Sequence, residues 1–462
     1  MKSSHSPAAT FAAFDDANLL AHGGLVPAVR LAERCGLPGL VREKVRLAGA
    51  ANGAGAAADA KVMSLVAAML AGADSIDDAD VLRHGATAKA FTGMRAPTTL
   101  GAFLRAFTWG HVRQLQSAVR AFTCNLAVHC RLLPGSDQVV HLDIDSKVKQ
   151  VYGAGKQGAE HGYTKVRGLH FQIVTASTPL AAPVIVASRL RKGSAGSAKG
   201  AASLIAEAIR AVRAMGATGM IVVRADSAFF SHKTVAACRR AGARFSLAVA
   251  QRKKVRQAIA TIPETAWTPI KYPKAIWDAD EERWISDAEV AEVEYTAFTG
   301  KAKKHRVTAR LLVRRVKRLG DAHAPDGQGE LFKVYRFHAV FADTPFPLVE
   351  AEKIHRAHAV VEQVFADLED SALAHLPSGK FTANAAWLTL AVLAHNLTRA
   401  LGCLASAFHA KARTSTIRRQ LVAVPARLAT AARTLTFHLP ARWPWQDAFQ
   451  SLWTASGCRL RP

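Results

Sequence analysis

The chain has 462 residues, half of them apolar, enough for sizeable cores and two or three domains. Its 61 Lys and Arg against 35 Asp and Glu leave a net charge of +26, spread along the chain, which points to a polyanion and first of all to nucleic acid. Six cysteines without a CxxC pair exclude zinc-finger spacing, Asp15 and Asp16 stand where a secretory signal needs an apolar core, and no P-loop, dinucleotide fingerprint or Ser-His-Asp pattern is present. A reduced, soluble, cytoplasmic protein is expected.

Residues 11–135 read as helices. "LVPAVRLAERCGL" and "AFLRAFTWGHVRQLQSAVRAF" carry apolar residues at helical spacing, and Pro97 with a Thr cap at 98 or 99 opens one of the helices. The preceding "SIDDADVLRHG" is a further short helix, so the region fits a helix-turn-helix and an ordinary bundle equally well. The Ala/Gly-rich stretch at 48–60 reads as a surface loop.

From 138 the texture changes. "VVHLDID", "GLHFQIVTAS" and "APVIVASRL" are strands, followed by a helix closed by Gly216, the buried strand "MIVVRAD", the helix "SHKTVAACRRAGA" and the strand "RFSLAVA". This predicts a mixed α/β core whose first three strands are antiparallel. Residues 252–347 alternate like antiparallel strands around the polar stretch "LGDAHAPDGQGE", a β-rich insertion. One helix is expected from near Pro347 to about Leu373. "AAWLTLAVLAHNLTRALGC", interrupted by His395, Asn396 and Arg399, reads as a buried helix and not a membrane span. A basic region, "KARTSTIRRQLVAVPARLATAARTL", follows. The expected division is a helical DNA-binding region at 1–135, the first part of a catalytic core at 136–251, the insertion at 252–347, and the last part of the core with C-terminal helices at 348–462.

The acidic residues carry the chemistry. Strand alternation puts Val140, Leu142 and Ile144 on one face and His141, Asp143 and Asp145 on the other. "MIVVRADS" delivers Asp226 where a buried strand ends, the place ligands gather in open α/β sheets. On "AEKIHRAHAVVEQVFADLED", His355, His358, Glu362 and Glu369 fall within about 60° of one another at helical spacing. Three carboxylates from separate elements suit hard divalent cations such as magnesium, and two such ions activate the attacking oxygen and stabilise the leaving one in phosphodiester chemistry.

"DIDSKVKQVYGAGKQGAEHGYTKVRGLH", "RADSAFFS" and "VVEQVFADLEDSALAHLPSGKFTANAAWLTLAVLAHNLTRA" resemble DDE-type insertion-sequence transposases, and more closely the insertion-sequence family numbered thirteen-eighty. The resemblance covers nearly the whole chain, including "FDDANLLAHGGLVPAVRLAERCGL". It implies a ribonuclease-H-like core interrupted by the β-rich insertion. It also implies cut-and-paste transposition with Mg2+ (Mn2+ able to substitute), and a homodimer on DNA that binds terminal inverted repeats and target DNA. It places the catalytic, metal-binding acids at Asp145, Asp226 and Glu362, with Asp143 the alternative for the first position. Related transposases carry Tyr, Arg, Glu and Lys along the last helix to touch DNA phosphates. Here those positions hold His355, His358, Glu362 and Glu369, and only the Glu is kept.

Further DNA contacts are considered for Trp267, Trp277 and Trp284 in the insertion, one of which could stack on a flipped base, although packing of a small subdomain accounts for them more simply. Arg191 and Lys192, in a Gly-rich loop with Arg189 and Lys199, and the basic strand residues Arg314, Arg315, Lys317 and Arg318 are backbone candidates by charge.

Overall fold

The computed structural model describes residues 1–47, 53–270, 277–278, 283–284, 288–317 and 335–460, with backbone placement alone at 277–278, 283–284 and 317. After a long helix, α1 (Trp109–Cys130), the chain enters its sheet with β1 (Val139–Gln150), β2 (Arg167–Thr178) and β3 (Ala181–Lys192). Then come α2 (Ala201–Ala214), β4 (Met220–Ala225), α3 (His232–Arg240) and β5 (Arg244–Val249). The strands lie in the order β3-β2-β1-β4-β5. The first three pair antiparallel; β4 runs parallel to both β1 and β5. Val140, Leu142 and Ile144 are fully buried, as the alternation of β1 requires. The helix α2 ends where Gly216 takes a positive φ of 95°, the conformation glycine adopts most cheaply.

The strands of 252–347 continue this sheet. β6 (Ala288–Ala297), β7 (Val307–Lys317) and β8 (Tyr335–Ala342) pair antiparallel in turn, and β8 pairs antiparallel with β5 through Ala342↔Ser246. The loop "LGDAHAPDGQGE" lies outside the described residues.

The single helix expected from Pro347 to Leu373 is broken. It runs as α4 (Leu348–Arg356), a 3-10 turn (Ala357–Ala359) and α5 (Val360–Glu369). At the N-terminal side, the helix after Ala96 starts directly on Pro97, whose fixed φ suits the first helical position, and neither Thr98 nor Thr99 caps it. The segment Asp77–Arg83 is 3-10 rather than α-helical. In the C-terminal region, 426–438 is a hairpin. Ala426–Ala431 pairs with Thr434–His438 across a two-residue turn in which Ala432 and Arg433 both have positive φ (46° and 65°), the geometry that matches strand twist. Leu19–Leu20 adds a third strand to it.

The last long helix, α6 (Phe381–Ala405), is long and apolar enough by composition to cross a membrane, but protein surrounds it. It packs on α1, on β3 and on the N-terminal helix Ala58–Ala71, and buried residues from both ends of the chain join the sheet in one continuous core. Its polar residues face partners. Asn396 accepts from the Ile185 N–H at 2.9 Å and donates to the Ile185 carbonyl at 2.8 Å, next to an irregularity in the β2–β3 pairing. The side chain thus satisfies the outer edge of β3, which otherwise would bury an unpaired donor and acceptor.

Asn396→Leu should therefore destabilise the fold by about 2–4 kcal/mol, because two buried backbone groups lose their partner. Urea denaturation measures this. A cost below about 0.5 kcal/mol would mean that the β3 edge finds other partners.

Candidate active site

The sheet presents one polar rung that grips the broken helix. In parallel pairing Asp143 of β1 stands beside Arg224 of β4, and Arg224 beside Ser246 of β5, so the three side chains leave the same face. Asp143 is fully buried and takes the Arg224 guanidinium bidentately, from Nε and Nη2, each at 2.7 Å. Arg224 Nη1 donates to the Ile354 carbonyl at 2.6 Å. In an unbroken helix that carbonyl would accept from the amide of residue 358. The break at Ala357–Ala359 follows it directly. The two histidines around the break complete the grip. His355 Nδ1 and the Ser246 hydroxyl share a hydrogen bond of 2.9 Å, and His358 Nδ1 lies 2.9 Å from Asp143 Oδ1.

Burial alone would push the Asp143 pKa up, but Arg224 and His358 outweigh it and hold the carboxyl below its usual range. An ionised Asp143 only accepts, so His358 carries its proton on Nδ1. Burial lowers His355 to about 3, and it is neutral.

Asp145 lies two residues further along the same face of β1. The β1–β4 register ends at Ile144↔Ala225, so the next step along both strands sets Asp226 beside Asp145. Asp226 caps the 3-10 turn Ser227–Phe229 by accepting from the Ala228 amide at 3.1 Å, while remaining exposed. Glu362, in the first turn of α5, follows His358 by four residues, and its side chain is exposed. Burial raises the Asp145 pKa to about 6, the negative charges of Asp226 and Glu362 add to the rise, and the Ser146 amide and His358 oppose it. The three acids therefore share one electrostatic field. None forms an ion pair among the described residues, whereas Asp143, Glu207, Glu352 and Glu369 all do. Among the described residues no three His, Cys, Asp or Glu side chains are gathered closely enough to hold a metal ion as they stand.

The remaining sequence candidates are placed as follows. His355 and His358 are both engaged inside the rung. Glu369 does not stand free: Lys147 of β1 meets it at 2.6 Å and Lys149 lies 3.8 Å away. Arg191 donates to the Gly196 and Lys199 carbonyls at 3.0 and 2.6 Å, folding the Gly-rich loop around itself, and burial lowers its pKa to about 10. Lys192 pairs with Glu160 at 3.2 Å, and Arg189 with Glu207 at 2.9 Å. The Trp267 ring lies under the Arg315 guanidinium at 4.3 Å and near Phe337. Trp277 and Trp284 are register partners in a short antiparallel pair, their side chains outside the described residues. Arg318 also lies outside them. A cleft of about 1620 Å³ lies away from the acids, between the N-terminal helices and the C-terminal hairpin. Sequence reasoning missed Arg224 and Ser246. The signal for Arg224 was its place two residues before Asp226, on the same strand face; Ser246 carried none.

A family model described as Transposase DDE domain group 1 matches residues 5–456. No curated protein matches the chain.

Two outcomes follow from the electrostatics. The folded chain holds the Asp145 proton more tightly than an unfolded chain, whose Asp titrates near 3.9, so ionising Asp145 costs stability as pH rises from about 4 to 6. Asp145→Asn should raise the unfolding free energy at pH 7 without divalent cations by on the order of 1–3 kcal/mol, seen as a higher melting temperature, and the gain should vanish near pH 4. Arg224→Met should destabilise by about 3–5 kcal/mol, since it strands a buried carboxylate, and adding Asp143→Leu should recover part of the loss. Denaturation of the single and double variants decides whether the pair is coupled.

Proposed function

Because the chain belongs to the Transposase DDE domain group 1 family, we propose that it is an insertion-sequence transposase of the thirteen-eighty type, cutting DNA at the ends of its element and joining them to a target. The observation that carries the reading is the shared field of Asp145, Asp226 and Glu362, three acids from separate elements left without cationic partners in a chain of net charge +26. The strand order β3-β2-β1-β4-β5, antiparallel then parallel, supports a ribonuclease-H-like core, and β6 to β8 occupy the place of the insertion before the last acid.

Oxygen donors that repel one another fit a hard divalent ion, and Asp145, Asp226 and Glu362 would hold it. When bound, Mg2+ or Mn2+ supplies Lewis-acid activation of the attacking water or 3′-hydroxyl and stabilisation of the leaving oxygen. The chain itself sets the geometry. Asp226 is fixed by its cap on Ser227–Phe229, and Asp145 by the pairing of β1. Glu362 is set by the grip of Asp143 and Arg224 on the helix break one turn before it. Lys147 neutralises Glu369, so the substitution for the usual Lys does not turn an uncompensated negative charge toward DNA phosphates. The partners expected are terminal inverted repeats and target DNA, with a homodimer bringing two ends together.

One observation favours a second reading. His355 and His358, at the positions of phosphate-contacting residues in related transposases, are turned into the rung. A transposase-derived protein that binds ends without cutting them would have the same feature.

Nicking and gel-shift assays on the same end DNA separate the two. The parent should nick in magnesium. Asp226→Asn, Asp145→Asn and Glu362→Gln should each lose nicking by about a hundredfold or more while binding is kept or slightly tightened. A parent that binds ends but never nicks them supports the second reading. A folded Asp226→Asn protein that nicks at the parent's rate removes Asp226 from the site.

A further inference from the structure

A second concentration of uncompensated charge lies just past Asp226, of opposite sign. The hairpin loop between β6 and β7, "FTGKAKKHR", folds over the start of α3 so that the His232 and His305 rings meet, their centroids 4.5 Å apart. Lys301 of the loop and Lys233 and Arg240 of α3 act on His232, and Lys303 and Lys304 are exposed beside His305. None of these lysines and arginines forms an ion pair among the described residues. Other cations of the sheet meet acids, as in Arg224–Asp143, Arg310–Glu292 and Arg314–Glu352.

The loop is fixed in place. Phe298 adopts a positive φ of 61°, costly for a bulky residue, and stacks on Phe230 at 5.0 Å, which in turn sets its edge against Phe341 of the sheet. Lys254 donates to the Thr299 hydroxyl at 2.7 Å. A rigid scaffold thus holds like charges and two imidazoles together, an arrangement that repels itself until an anion enters.

We propose that His232, Lys233, Arg240, Lys301 and His305, with Lys303 and Lys304 alongside, form a docking patch for the phosphodiester backbone of DNA, separate from the acidic cleft. The patch rests on the transposase reading in naming DNA as the polyanion and in placing the cut at the acids. His232 lies six positions after Asp226, a span of about 20 Å at most, so the patch reaches phosphates within about six nucleotides of the cut. Its purpose is to hold the duplex beside the acids, whose own charge repels it. His232 reports occupancy. Desolvation first, and then the charges of His305, Lys301, Lys233 and Arg240, hold its pKa below the ordinary value. A phosphate among these groups reverses the electrostatic part.

The test measures affinity of the full chain for duplex DNA by fluorescence anisotropy between about 50 and 200 mM salt. Lys301→Ala/Lys303→Ala/Lys304→Ala should bind about tenfold or more weakly at physiological salt, and the slope of log K against log salt should fall in magnitude by about 2–3. A control, Lys2→Ala/Arg210→Ala/Lys411→Ala, removes the same charge from exposed sites elsewhere and should change the slope far less. Equal losses in both variants, or none in the first, overturn the patch. As a second measurement on the parent, the His232 ring titration followed by NMR should move up when duplex DNA is added; an unmoved titration also overturns it. If the parent never nicks end DNA yet the patch variant loses its salt slope, the patch stands and the transposase reading falls.

Discussion

The site depends on one buried ion pair, Asp143 with Arg224. Taking both charges out of water is expensive, and such a pair is weak as a source of stability alone. What it provides here is position. The bidentate contact fixes two parallel strands in register, His358 satisfies the same carboxylate, and the remaining guanidinium nitrogen takes the Ile354 carbonyl. The helix passes into a 3-10 turn just after the carbonyl engaged by the sheet, and Glu362 lies one turn beyond. A continuous helix from Pro347 would carry Glu362 in another direction.

The insertion strands contribute to the same geometry. Because β8 pairs with β5, the chain returns to the sheet edge before α4 begins, and Phe341 stacks on Phe245 at 5.3 Å there. Arg310 of β7 donates to the Thr344 and Phe346 carbonyls, and Arg314 meets Glu352 of α4 at 2.7 Å. The broken helix is thus held at its start by the insertion and at its break by the core. The last acid depends on both.

Charge is distributed with a purpose that stability does not explain. Most buried or half-buried carboxylates meet a cation, yet Asp145, with its pKa raised to about 6, stands among other acids. The loop at 298–306 likewise gathers cations without acids. Local rules are broken in proteins chiefly where function requires it. On the proposed reading the repelling acids would take a divalent ion and the repelling cations a phosphate backbone, and His232 stands six positions after Asp226.

Much of this was present in the sequence. Period-two alternation put Asp143 and Asp145 on one strand face, Asp226 stood at the end of an apolar run, and the apolar stripe of residues 354–368 placed Glu362 on a polar side. These are local properties, set by backbone geometry within a few residues. The sequence also left Asp143 and Asp145 as alternatives, because strand alternation cannot say where a covering helix ends. Tertiary structure gives them different surroundings: the broken helix covers Asp143 and leaves Asp145 at the edge of cover. The break itself was invisible, since no proline or glycine marks Ala357–Ala359 and its cause is a guanidinium from a strand 130 residues away. The hairpin at 426–438 was hidden for the same reason: it is completed by Leu19–Leu20 from the other end of the chain. Contacts between elements distant in sequence depend on strand order and register, which a local pattern does not encode.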